Sequence, residues 1–201
     1  MIKAITFDLD GVYFIKGKAE FIKSLGVLGV PEAEAKRVFL ESEEMRQYKR
    51  ELLTDKEFWT WALKEWKLSM TIQEIIDVLV SGYEENPEVL DVVRKARANG
   101  YKTMVCSNNF PARINGLQQK FKFLDNFDVA VMAYDAGAMK PDKKIFEVLI
   151  RKANVSPSEI FMADDREDTI ESARELGIEA FYYTNFNNFL LDLEKLGINL
   201  N

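Results

Sequence analysis

The chain contains no histidine among its 201 residues. That excludes Ser-His-Asp and Cys-His nucleophile pairs, histidine-ligated zinc or haem, and acid–base work by imidazole. Cys106 is the single cysteine, so neither an intramolecular disulfide nor a thiolate metal cage can form. It sits in the apolar run Met104-Val105-Cys106, which predicts a small buried hydrophobe rather than a nucleophile. No stretch reaches the roughly 18 apolar residues of a membrane span. The opening Met1-Ile2-Lys3-Ala4-Ile5-Thr6-Phe7-Asp8 meets an acid too early for a secretory signal. A basic surplus is also missing: 27 Lys and Arg against 33 Asp and Glu leave a net charge of −6, which argues against nucleic acid as a partner. These absences predict a soluble cytoplasmic protein, monomeric by default, with no nucleic-acid or membrane partner. Its chemistry is left to carboxylates, amines, hydroxyls, backbone groups and a bound ion.

What is present suits one folded domain carrying an insertion, since 47% of residues are apolar and 30% charged. Ile2 to Phe7 reads as a buried strand halted by Asp8-Leu9-Asp10-Gly11. From Lys16 to Glu85 the texture is helix-forming, and three or four helices without strands are expected. Pro31-Glu32, Thr54-Asp55-Lys56-Glu57 and Thr71-Ile72-Gln73-Glu74 mark helix starts there. After Asn86-Pro87 the pattern alternates. Strands at Tyr101–Cys106, Val129–Ala133, Glu159–Ala163 and Glu179–Tyr183 interleave with helices at Val89–Ala98, Ala112–Phe121, Pro141–Asn154 and Asp168–Leu176. Such alternation predicts an α/β fold: a Rossmann-like parallel sheet with helices on both faces. Active groups then gather beyond the carboxyl ends of the strands.

Those ends, or the loops just after them, carry Asp8 with Asp10, then Ser107, Lys140, and Asp164 with Asp165. Each alone has a plain structural reading as a turn former, a helix cap or a solvated lysine. Four in this chain order at one sheet edge point to a site. The two acids two residues apart are expected to project to one side of an extended strand.

The same residues make the sequence resemble the haloacid dehalogenase-like superfamily of phosphohydrolases. Its opening motif is similar to Phe7-Asp8-Leu9-Asp10-Gly11-Val12, and its strand ending in Ser or Thr to Val105-Cys106-Ser107-Asn108. Its lysine before proline is similar to Met139-Lys140-Pro141-Asp142, and its acidic pair to Ala163-Asp164-Asp165. The resemblance implies a core at 1–15 and 86–201, with residues 16–85 forming a small all-helical cap inserted after the first strand. Met45-Arg46-Gln47-Tyr48-Lys49-Arg50-Glu51 is loosely similar to the caps of sugar-phosphate phosphatases. Trp59, Trp61 and Trp66 are expected in the packing of that cap.

The resemblance also implies roles. Asp8 is the nucleophile, forming an aspartyl-phosphate, and Asp10 the general acid and then base. Lys140 orients Asp8 and, with Ser107 and Asn108, binds the phosphoryl group. Mg²⁺ is held by Asp8, the Asp10 carbonyl and Asp165, with Asp164 behind it or as the alternative ligand. Counting from Asp164 instead makes Asp168 its acidic partner. Counting from Asp165 places Thr169 where many relatives carry an acid or amide. Arg46, Lys49, Arg50, Asn109 and Arg113 are further candidates for substrate contact, each with a surface or capping alternative. No local signature marks Lys18, Lys23, Lys36 or Lys49 as a Schiff-base lysine. The implied activity is Mg²⁺-dependent hydrolysis of a small, sugar-phosphate-like metabolite. A phosphomutase and a non-catalytic binding protein on the same fold are the alternatives.

Overall fold

The computed structural model describes residues 1–200. Its centre is β1 (Ala4–Phe7), four apolar or β-branched residues buried throughout. β4 (Lys102–Ser107) and β6 (Ile160–Asp164) pair with it on either side, and β5 (Val129–Met132) and β7 (Glu179–Tyr182) close the edges. All pairings are parallel, in the order β5-β4-β1-β6-β7.

Side-chain alternation along these strands splits the core in two. Ile5, Phe7, Val105 and Phe161 face one layer, which includes α6 (Pro87–Ala98) and α11 (Phe186–Lys195). Ala4, Met104, Cys106, Ile160 and Met162 face the other, against α9 (Lys143–Ala153) and α10 (Glu167–Glu175). Both faces are covered, so the strands read as continuous apolar runs. Cys106 is buried there as a plain hydrophobe.

Between residues 16 and 85 lie five α-helices rather than three or four: α1 (Gly17–Val27), α2 (Glu32–Lys36), α3 (Glu43–Lys49), α4 (Asp55–Glu65) and α5 (Ile72–Ser81). The extra break falls at Ser42, extended at ψ 151°, whose hydroxyl accepts from Met45 N–H and starts α3. A π-helical turn, Arg37–Glu41, carries the chain into that break. Thr54 with Glu57 and Thr71 with Glu74 form reciprocal capping boxes at α4 and α5.

The span is not free of strands. Glu84–Glu85 (β3) pairs antiparallel with Phe14–Ile15 (β2), a ribbon too short to leave a periodic signal. The helical segment returns to the sheet through aromatic contacts. Phe110, fully buried, lies 4.9 Å from the Tyr48 ring, 6.1 Å from Trp59 and 6.2 Å from Phe39. Trp59 and Trp66 are buried as expected, while Trp61 is only partly so. α5 also meets α7 (Pro111–Phe121) closely: a Cβ at Gly116 would lie 2.6 Å from Val80 Cγ2.

Candidate active site

The turn after β1 positions the first two acids. β1 stops at Phe7, so Asp8 and Asp10 are not presented by strand alternation as expected. Instead the chain coils on itself: Phe14 N–H donates to the Leu9 carbonyl at 2.7 Å, and Gly11 N–H to the Phe14 carbonyl at 2.9 Å. Gly11 adopts φ +89°, and a Cβ there would lie 2.6 Å from Asp165 Oδ2. Glycine thus permits both the turn and the close approach of the Asp165 carboxylate to it.

Lys140 ties three strand ends together. Its Nζ donates to Asp8 Oδ1 at 2.8 Å, to the Cys106 carbonyl at 2.9 Å and to Asp164 Oδ2. Lys140 is 4% exposed, Asp8 6% and Asp164 0%, so these are charge-assisted bonds in a low-dielectric setting. Burial disfavours the ammonium, but Asp8 and Asp164 outweigh that and hold its pKa above lysine's ordinary value. Asp164 is pushed up to about 6, by burial first and by the Asp8 charge, against the pull of Lys140.

Asn108 holds Lys140 from behind. Its Nδ2 donates to the Lys140 carbonyl at 2.8 Å, and its Oδ1 accepts from Lys140 N–H at 2.7 Å. Asn108 lines the cavity, and with one Nδ2 hydrogen on the Lys140 carbonyl its second Nδ2 hydrogen and its main chain are the groups it has for a ligand. Ser107, 1% exposed, closes β4 beside it, with its hydroxyl accepting from Asn109 Nδ2 at 3.3 Å.

Asp10 faces a second network that sequence reasoning only touched. Arg113 Nη2 donates to Asp10 Oδ2 at 2.8 Å, Tyr83 OH to Oδ1 at 3.2 Å, and Lys18 Nζ lies 3.3 Å away. Arg113 is 1% exposed and also donates from Nη1 to Tyr83 OH at 2.7 Å and from Nε to Asn109. Burial opposes ionisation of Asp10, but Arg113 and then Lys18 outweigh it and hold its carboxyl well below the usual range. Removing one member of a buried ion pair strands the other charge, at a cost of about 3–5 kcal/mol. Arg113→Ala is accordingly expected to lower the unfolding free energy, read from urea denaturation, by that order, and Asp10→Asn in the same background to recover part of the loss.

Asp8, Asp10, Ser107, Asn108, Lys140 and Asp165 all line one cavity of about 340 Å³. Asp164 sits beneath it against Lys140. Asp168 does not join: it is exposed and paired with Arg166 at 3.0 Å. Of the wider candidates, Arg46 and Lys49 reach the cavity, as does Lys18. Arg50 turns to Glu43 at 3.2 Å.

The residues suit a hard cation in donor type. Among the described residues no three acidic side chains are gathered as a metal cage, and the Asp10 carboxylate accepts from Arg113 Nη2 at 2.8 Å. The Asp8 and Asp165 carboxylates and the Asp10 main-chain carbonyl remain, an all-oxygen set of the kind Mg²⁺ takes. Asp165 is raised above the ordinary carboxylate value, by partial burial and by Asp8 beside it. That surplus of negative charge is what a cation would relieve.

Among the described residues no helix is long and apolar enough to cross a membrane. The chain is 32% identical over 153 residues to an uncharacterised protein of Dictyostelium discoideum, covering 74% of this chain and 66% of that one. It spans 12% and 24% of two longer mouse relatives. A D-ribitol-5-phosphate phosphatase of Bacteroides thetaiotaomicron is 26% identical over 199 residues, 92% of this chain and 93% of its own. A solved HAD family enzyme from the same bacterium, in complex with magnesium and inorganic phosphate, superposes at a TM-score of 0.81. It is 22% identical and covers 94% of this chain and 99% of its own. The family model described as haloacid dehalogenase-like hydrolase matches residues 2–177. The chain belongs to the haloacid dehalogenase-like hydrolase family.

Proposed function

We propose that this hydrolase is a Mg²⁺-dependent phosphatase acting on a small, sugar-phosphate-like metabolite through an aspartyl-phosphate. One observation carries the reading: Lys140 bridges Asp8 and Asp164 in the cavity that Ser107 and Asp165 also line. A buried carboxylate aimed by an ammonium, with a hydroxyl and a second acid at hand, suits nucleophilic attack on a phosphoryl group. A cavity of 340 Å³ suits a small ligand. The names of the relatives support the same class.

In this reading an Asp8 carboxylate oxygen attacks phosphorus, and the bond to the leaving oxygen breaks as that oxygen takes a proton from Asp10. Water then attacks the aspartyl-phosphate, Asp10 takes its proton, and the bond between phosphorus and the Asp8 oxygen breaks. Arg113 and Lys18 hold Asp10 ionised in the free protein, which suits the second step. A phosphoryl dianion placed beside Asp10 raises its proton affinity and prepares it for the first. Lys140, the Ser107 hydroxyl and the Asn108 backbone N–H would hold phosphoryl oxygens. Asp8, Asp165 and the Asp10 carbonyl would hold Mg²⁺, which when bound offsets the carboxylates and draws charge from those oxygens.

Residues 16–85 would act as a cap over a core formed by 1–15 and 86–201. A buried reduced thiol at Cys106 is at home in the cytoplasm, where we place the enzyme.

Hydrolysis of p-nitrophenyl phosphate tests the activity. With Mg²⁺ the protein is expected to release nitrophenol, and EDTA to lower the rate at least about a hundredfold, as loss of a charge-stabilising group in an active site does. No turnover across sugar phosphates, nucleotides and aryl phosphates with Mg²⁺ present would overturn the reading.

A further inference from the structure

Lys49 closes α3, and Met45 and Arg46 lie one turn before it. Spacings of three and four put all three on the face toward the cavity. The cavity wall carries the cations Lys18, Arg46, Lys49, Lys140 and Arg166 against the carboxylates Asp8, Asp10 and Asp165. Four of those cations have acidic partners. Lys140 holds Asp8 and Asp164, Lys18 meets Asp10, Arg166 pairs with Asp168, and Arg46 lies 3.4 Å from Glu43.

Among the described residues Lys49 forms no ion pair. The cations Arg113, Lys18 and Arg166 act on it, and Asp10 is the acid that opposes them. Burial first, then those neighbours, bring its ammonium down to about 7. A half-buried ammonium set among other cations without a paired carboxylate is unfavourable until an anion arrives. In the proposed reaction Lys140 and Ser107 at the strand ends would already hold the scissile phosphoryl group. Lys49 instead projects from the helical segment.

We infer that Lys49, with Lys18 and Arg46, binds a second anionic group of the substrate, a carboxylate or another phosphate, a few bonds from the scissile phosphate. The small cavity sets that short separation. Substrates with one anionic group would leave Lys49 uncompensated and bind more weakly.

This second anion site rests on the phosphatase reading, so binding is measured without turnover. The probes, titrated calorimetrically with Mg²⁺ present, are propylphosphonate, 3-phosphonopropionate and propane-1,3-diphosphonate. At least one doubly anionic probe is expected to bind about tenfold or more tightly than propylphosphonate, the gain from one charge-assisted hydrogen bond. Whichever gains more separates a carboxylate from a phosphate. Lys49→Met and Lys49→Gln are each expected to cut the preference to less than about threefold.

Equal binding of all three probes, binding of none, or a preference that survives both variants would overturn the inference. If the doubly anionic probes win while no sugar phosphate, nucleotide, aryl phosphate or doubly anionic phosphate ester is hydrolysed, the anion site stands and the phosphatase reading falls.

Discussion

Asp8→Asn is expected to reduce phosphatase activity at least about a thousandfold, the scale on which enzymes lose rate when the nucleophile is removed. The substitution is close to isosteric. Lys140 Nζ, which donates to Asp8 Oδ1 at 2.8 Å, can donate equally to the amide oxygen. Shape and the lysine position should therefore survive, while the attacking charge does not. A carboxamide oxygen is a poor nucleophile toward phosphorus, so the covalent step fails rather than the binding step. KM, where residual activity permits its measurement, should move far less than kcat.

Stability gives a second readout. Asp8 is one of the charges that raise Asp164, so neutralising it relieves repulsion while Lys140 keeps its other carboxylate. The thermal midpoint of Asp8→Asn should be no lower than that of the unmodified protein. Rapid-quench labelling should show phosphoprotein in the unmodified enzyme and none in the variant. Activity within tenfold of the original would assign the nucleophile elsewhere.

The acids and Ser107 were legible in the sequence because each lies at or just after the end of a short apolar run. Lys140 was legible because it precedes a proline in the stretch that follows β5. Asp8 follows Phe7, Ser107 closes β4, and Asp164 closes β6. A parallel sheet brings such ends together whatever its loops do. What escaped depends on packing between distant segments. Arg113 at the start of α7 has the look of a solvated or capping arginine. Only the fold brings it to Asp10, 103 residues away, and to Tyr83, 30 residues away. Asn108 reads as a loop amide over the site, yet its side chain turns to the Lys140 backbone, 32 residues on. Arg46, Lys49 and Arg50 are equivalent in composition. The α3 helix sends the first two to the cavity and leaves the third with Glu43. Two-residue strands such as β2 and β3 lack the length for any period to register.

Lys140→Ala is expected to damage stability and catalysis together, with a pH dependence that separates it from an ordinary cavity. The ammonium offsets two carboxylates, Asp8 and Asp164, that are almost fully enclosed. Removing it strands both, at a cost of about 3–5 kcal/mol near neutral pH. Asp164 already stands at about 6 with the lysine present, and without it must rise further. A carboxyl whose folded pKa exceeds its unfolded value binds more protons when folded, so stability falls as pH rises through that interval. The variant's deficit should thus be smallest at about pH 4, where the stranded carboxyls take up protons, and grow progressively toward pH 8. The unmodified protein keeps the lysine's contribution throughout that range. A raised lysine pKa gives stability that is complete below the unfolded value and lost only as pH climbs through the folded one. Urea denaturation at pH 4.5, 6 and 8 reads the difference. A penalty equal at all three would mean that lost packing, rather than stranded charge, accounts for the loss. In the catalytic assay the same variant leaves Asp8 unaimed and the phosphoryl group short of one cation, so kcat should fall at least about a hundredfold.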